Sequence, residues 1–213
     1  MEKGIRSPWR RLAFVIAACG FAAAASAQDV KDVLRKTPDA AHGAELFRNC
    51  VACHGTDGFG APDGTVPTIA GQHASVIAKQ LIDYRQAKRW DIRMERIADK
   101  HLLQKAQDIA DVAAHASSLT RGGPLSTGDG TWNAEGEKTY AQRCAGCHGA
   151  AAEGDAKKRI PRLAGQHFDY LRRQMYDAVD GRRPNLSASH VQLFKAFVME
   201  DFEGVADYLS RLH

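Results

Sequence analysis

Apolar positions in this chain recur at helical spacing. Ile77, Leu81 and Tyr84 fall on one helix face, and so do Ile109, Val112 and Ala116. Leu171 with Met175, and Phe202 with Val205 and Leu209, repeat the arrangement further on. Spacings of three and four residues stack side chains over one another on an α-helix. No segment shows the alternation of a half-buried strand, so the pattern predicts an all-α protein. The stretches between the helices are long and rich in glycine and proline, above all 55–67 and 149–161.

The pattern occurs twice. Cys50-Val51-Ala52-Cys53-His54-Gly55 returns as Cys144-Ala145-Gly146-Cys147-His148-Gly149, at an offset of 94. The same offset carries Pro67-Thr68-Ile69-Ala70-Gly71-Gln72-His73 onto Pro161-Arg162-Leu163-Ala164-Gly165-Gln166-His167, Gln80 onto Gln174 and Arg89 onto Arg183. Nearer the ends the offset is 93, pairing Asp108 with Asp201, Val112 with Val205 and Leu119 with Leu212, so one residue net is lost between. Self-similarity at a fixed period marks a duplicated unit. Residues 120–133 hold Gly122-Gly123-Pro124 and Gly128-Asp129-Gly130 with little apolar content, and read as a linker between a domain over 28–119 and one over 134–213.

The first residues are of another kind. Lys3, Arg6, Arg10 and Arg11 precede an apolar run over 12–25, and Ala25-Ser26-Ala27 follows. A basic start, a short apolar stretch and small residues before a cleavage point make a secretory signal peptide over 1–27, with Gln28 the first mature residue. The run is 14 residues long, and a bilayer-spanning helix needs about 20. Two alternatives stay open: an uncleaved anchor, and a lipoprotein box at Ile16-Ala17-Ala18-Cys19 that tethers the chain through Cys19. The formal charge of +4 drops to +1 once the leader's four cations and its one anion, Glu2, are removed. A nucleic-acid binder needs a concentrated basic face, which nothing here suggests.

About 186 residues remain, room for one ordinary domain or two small ones. The repeat decides for two. A domain of about 90 residues with so much loop buries a thin core and needs a metal, disulfides or a cofactor. Of the five cysteines, Cys19 lies in the leader and the other four form two Cys-x-x-Cys-His motifs. That sequence is a c-type haem attachment site. Thiols three positions apart can each add to one vinyl group of a haem, and the next residue brings an imidazole beneath the iron. Other readings fit less well. A thioredoxin-like pair sits at a helix start near a parallel sheet, a zinc site needs its pairs to converge, and plain disulfides leave the histidine after each pair unexplained.

On these residues the chain resembles class I cytochromes c, and more closely the dihaem cytochrome c4 family and related cytochrome subunits of sulfur-oxidising dehydrogenases. The resemblance covers nearly the whole mature chain. It implies two tandem class I cytochrome c domains, each a few helices wrapped around one covalently bound haem c. Cys50, Cys53 and His54 then hold the first haem, and Cys144, Cys147 and His148 the second. It also implies that the carbonyls of Pro67 and Pro161 accept a hydrogen bond from the free ring nitrogen of the ligating histidine, which fixes its tautomer. His73 and His167 are expected to cap or pack at helix starts rather than to ligate iron.

The halves differ at the sixth ligand. Met94 follows the polar stretch Arg89-Trp90-Asp91-Ile92-Arg93, a poor place for a core-filling methionine, and it falls where the family has its axial Met. Its repeat mate is Ser187 or Ala188, and neither binds iron. Met175 and Met199 map onto Leu81 and Ala106 and are expected to pack on helix faces. His190 is the nearest competent group; either it binds, making the second iron bis-histidine, or that iron is five-coordinate. A Met ligand raises haem potential relative to a second His.

The expected function is transfer of electrons between a redox donor and an acceptor, such as a dehydrogenase and a membrane oxidase, in the periplasm. The alternatives are a haem enzyme with an open second iron acting on peroxide or a small sulfur compound, and an electron-accepting subunit of a dehydrogenase complex. Tethering through the N-terminus is the alternative to a free periplasmic protein.

Overall fold

The computed structural model describes residues 30–213. The expected signal peptide and the lipidated alternative therefore lie outside the described residues. After a helical turn over 30–34 come α1 (Ala40–His54), α2 (Ala74–Arg85), α3 (Ile92–Ala98) and α4 (Ala106–Ser118) in the first half. The second half contains α5 (Asn133–Arg143), α6 (Ala145–His148), α7 (Phe168–Val179), α8 (Ala188–Lys195) and α9 (Met199–Arg211). Among the described residues the sole β pairing is one isolated antiparallel bridge between Asp155 and Ile160. The fold is all-α, in two tandem domains.

Each domain is organised by the crossing of its first and last helices, α1 on α4 and α5 on α9. Glycine makes the crossing close. A methyl group on Gly43 would land on the Asp111 carbonyl, and one on Gly136 on the Gly204 carbonyl. The predicted apolar faces line the two cores. Phe47, Leu81, Ile109, Val112 and Ala116 are buried in the first, and Tyr140, Leu171, Met175, Phe202, Val205 and Leu209 in the second. Met199 departs from expectation: it is 58% exposed at the start of α9. The first turn of α9 overhangs the core, so only the residues from Phe202 onward face inward.

The offset also shifts by one residue on the N-terminal side of the haem motifs, and there the cause is structural. Gly43 and Gly136 stand 93 apart, whereas Cys50 and Cys144 stand 94 apart. The extra residue is absorbed by a break at Cys144, where α5 ends and α6 begins, while α1 runs unbroken through Cys50, Cys53 and His54.

The domains meet through their repeated loops, about a pseudo-twofold axis. Gln166 accepts from the Thr68 N–H (3.0 Å) and donates to the Thr68 carbonyl (2.9 Å). Gln72 accepts from the Arg162 N–H (3.0 Å) and donates to the Arg162 carbonyl (2.9 Å). His73 Nε2 donates to the Glu153 carbonyl (2.8 Å), and His167 Nε2 to the Phe59 carbonyl (2.7 Å). Each histidine is the N-cap residue of its helix, yet neither caps it with its side chain; the rings serve the other domain instead. The 120–133 segment is also pinned. Arg121 donates to the equivalent carbonyls of Ala70 and Ala164, and Ser126 N–H donates to His167 Nδ1 (3.2 Å).

Candidate haem sites

The two attachment motifs are built alike. His54 is the last residue of α1 and His148 the last of α6, and both are buried. The chain must then turn away at once. Gly55 (φ 77°, ψ 162°) and Gly149 (φ 84°, ψ 157°) occupy a backbone region open essentially to glycine alone. The returning loop is fixed by the Gly60 N–H on the His54 carbonyl (2.8 Å) and the Gly154 N–H on the His148 carbonyl (2.7 Å). It brings the Pro67 carbonyl to 3.0 Å from His54 Nδ1 and the Pro161 carbonyl to 3.0 Å from His148 Nδ1. A carbonyl oxygen can only accept, so Nδ1 carries the proton in each ring and Nε2 keeps a lone pair for a metal.

Burial pushes both imidazoles below their ordinary value, against the raising effect of the proline carbonyls, which keeps them neutral at pH 7. Beside them Cys50 and Cys144 are half-buried and Cys53 and Cys147 exposed, and none of the four is in a disulfide. Burial pushes the Cys50 and Cys144 thiols up to about 11. A disulfide oxidoreductase needs the opposite shift in its attacking thiol.

The sixth-ligand candidates sit on short helices facing these histidines. Met94 is half-buried on α3 against the first core, and the charges of Arg93 and Asp91 reach His54 after the larger effects of burial and the Pro67 carbonyl. His190 lies half-buried on α8, with its ring centroid 6.1 Å from that of His148 and the ring planes at 85°. Met175 is locked in the second core.

The residues fit a haem in a further respect. Arg89, buried at the domain boundary, donates to Gln80 (2.6 Å), Gln174 (2.6 Å) and the Tyr170 hydroxyl (2.5 Å). Arg183 Nε is buried with no hydrogen-bond partner, and burial together with Arg89 pushes its guanidinium down to about 10. Two cations gathered so closely suit the propionate carboxylates of a haem. Repetition had marked Gln72, Gln166, Gln80, Gln174, Arg89 and Arg183, but nothing in a lone sequence assigns them to a boundary between domains.

Fold and sites together define a c-type cytochrome with two haem domains. The cytochrome c family profile matches residues 40–120 and again 133–212. Cytochrome c4 of Pseudomonas aeruginosa is 30% identical over 185 residues, covering 82% of this chain and 89% of its own length. The thiosulfate dehydrogenase electron acceptor of Stutzerimonas stutzeri is 28% identical, covering 76% and 78% respectively. The crystal structure of reduced recombinant cytochrome c4 from Pseudomonas stutzeri superposes with a TM-score of 0.71 at 29% identity, over 83% of this chain and all of that one. The chain belongs to the dihaem cytochrome c4 family. It carries two covalently attached haem c groups and transfers electrons between redox partners.

Proposed function

We propose that this is an exported electron carrier in which Cys50 and Cys53 bond one porphyrin, Cys144 and Cys147 the other, His54 and His148 are the proximal ligands, and Met94 closes the first iron. The observation that carries this reading is the matched pair of histidine–proline contacts, each 3.0 Å, which leave one imidazole nitrogen free beside each thiol pair. When bound, the haem supplies a one-electron couple as its iron passes between ferric and ferrous states. The protein's part would be to bind and orient that group. Pro67 and Pro161 orient the imidazoles, Met94 raises the potential of the first site, and Arg89 and Arg183 balance propionate charge. The likeness to cytochrome c4 over both domains supports a carrier over a haem enzyme with an open second iron.

The domain limits we propose are 28–119 and 134–213, joined by 120–133. Export rests on the leader over 1–27, with the periplasm as destination; tethering through the N-terminus is the alternative, and among the described residues no helix is long and apolar enough to cross a membrane. For the donor we propose a dehydrogenase of reduced sulfur compounds, supported by the likeness to the Stutzerimonas stutzeri thiosulfate dehydrogenase electron acceptor, and for the acceptor a membrane oxidase.

The test is an anaerobic reductive titration of the pure holoprotein, followed by peroxide with a chemical electron donor and, separately, thiosulfate with ferricyanide as acceptor. Reversible uptake of two electrons per chain and no turnover of either compound is expected. Sustained turnover without a partner protein would overturn the carrier reading.

A further inference from the structure

We infer that His190 is the sixth ligand of the second iron, held in place by Ser187, so that the two domains of this chain carry unlike haems. The inference rests on the reading of two attached haems above and concerns only how the second is closed.

Position is the first argument. α3 and α8 begin in the same way. Asp91 caps α3 and accepts the N–H of Met94 (3.3 Å), the third residue of that helix. Ser187 caps α8 and accepts the N–H of His190 (3.4 Å), again the third residue. Met94 and His190 are therefore structural equivalents, although they stand 96 apart and the repeat offset of 94 points to Ala188. The loop explains the difference. One residue separates Arg89 from Asp91 and three separate Arg183 from Ser187, so the second domain has a two-residue insertion before its cap. Between the ligand position and the next helix cap the count reverses. From Met94 to Lys105 is eleven residues and from His190 to Val198 is eight, a loss of three, which leaves the net loss of one.

Geometry is the second argument. The His148 and His190 ring centroids are 6.1 Å apart. With metal–imidazole bonds of about 2 Å, each ring centre stands about 3 Å from a shared metal, or about 6 Å from its partner. Both rings have Nδ1 occupied, His148 by the Pro161 carbonyl at 3.0 Å and His190 by Ser187 Oγ at 2.9 Å. The Pro161 carbonyl can only accept, which leaves His148 Nε2 bare, and Ser187 Oγ accepts in the same way in the His190 tautomer that ligates through Nε2. The near-perpendicular planes, at 85°, are compatible with two imidazoles turned about one common axis.

The surroundings are the third argument. The His190 ring lies 6.0 Å from that of Phe194, which leads into a cluster with Phe197, Phe202 and Tyr176. That wall shields one side of the site from water. The other methionines of the domain do not compete, because Met175 is packed in the core and Met199 is exposed. Ser187 acts as a positioning residue. With Nε2 on the metal, His190 Nδ1–H would donate to the Ser187 hydroxyl oxygen at 2.9 Å, a contact that orients a ligating imidazole and raises its basicity.

Near-infrared magnetic circular dichroism and electron paramagnetic resonance of the oxidised holoprotein test this, beside an intact-mass count of attached haem. Two low-spin species are expected, one His/Met and one His/His. In His190→Met the His/His species is replaced by a second His/Met species, and in His190→Ala by a high-spin one, with two haems still attached. Ser187→Ala keeps the ligand set but shifts the His/His resonance and raises that haem's potential. Two His/Met species in the wild type, or a high-spin signal that His190→Ala leaves unchanged, would overturn the inference alone. Fewer than two haems per chain would instead overturn the reading beneath it.

Discussion

Gln72 and Gln166 make the same two hydrogen bonds in opposite directions across the domain boundary, each clamping the N–H and the carbonyl of the residue one past the other domain's histidine-orienting proline. The boundary thereby reaches the haem sites through a single peptide unit on each side, Pro67-Thr68 and Pro161-Arg162.

Removing either glutamine strands buried backbone groups, each at a cost of about 1–3 kcal/mol. We expect Gln166→Ala to destabilise more than Gln72→Ala, since Thr68 and Gln166 are the more buried pair. In the double variant, calorimetry should show the melting of the holoprotein separating into two transitions.

The close helix crossings make a second prediction. Gly43→Ala and Gly136→Ala must push a helix off a neighbouring carbonyl, costing about 1–3 kcal/mol. Gly146→Ala, on the exposed side of α6 where an added methyl meets nothing within 4 Å, should be neutral or slightly stabilising. Denaturant unfolding of the three variants tests the contrast.

Replacing Met94 by histidine should lower the potential of the first haem by more than about 59 mV, tenfold in a one-electron equilibrium. The second haem should scarcely move. Spectroelectrochemical titration of wild type and variant resolves the two.

A pH effect is built into the first domain. Asp111, fully buried, accepts from the Asp39 N–H (2.7 Å), His42 Nδ1 (2.8 Å) and Gln107 Nε2 (2.7 Å). Burial alone would raise this carboxyl, but the donors outweigh it and hold it below the usual carboxylate range; the same bond raises His42. The Asp111 contribution is complete above about pH 4 and is lost as pH falls through the depressed folded value; that of His42 is complete below about pH 6.5 and is lost as pH rises through the raised folded value. First-domain stability should therefore decline from pH 6 to pH 9, and His42→Ala should flatten that decline in thermal melts.

The fold and the presence of two haem motifs were legible because each has a local cause. Thiol, thiol and imidazole stand within five consecutive residues, and helix periodicity is a property of one segment. The candidate opposite His148 was not legible in the same way, because insertion and deletion on either side of α8 shift the register. Only the cap-to-ligand spacing, Asp91 to Met94 and Ser187 to His190, restores it. His73 and His167 were read as helix-start residues, which describes their backbone, but the direction of a side chain across a domain boundary depends on contacts with no local signature. Met199 misled because an apolar residue at helical spacing still lies outside the core when its turn overhangs.

The most direct test of the whole account is the intact mass of the mature protein after export, taken in the wild type and in a variant with Cys144 and Cys147 both changed to alanine. The polypeptide plus two haems is expected for the first, and plus one haem for the second. A wild-type mass equal to the bare polypeptide, with four titratable thiols, would contradict it.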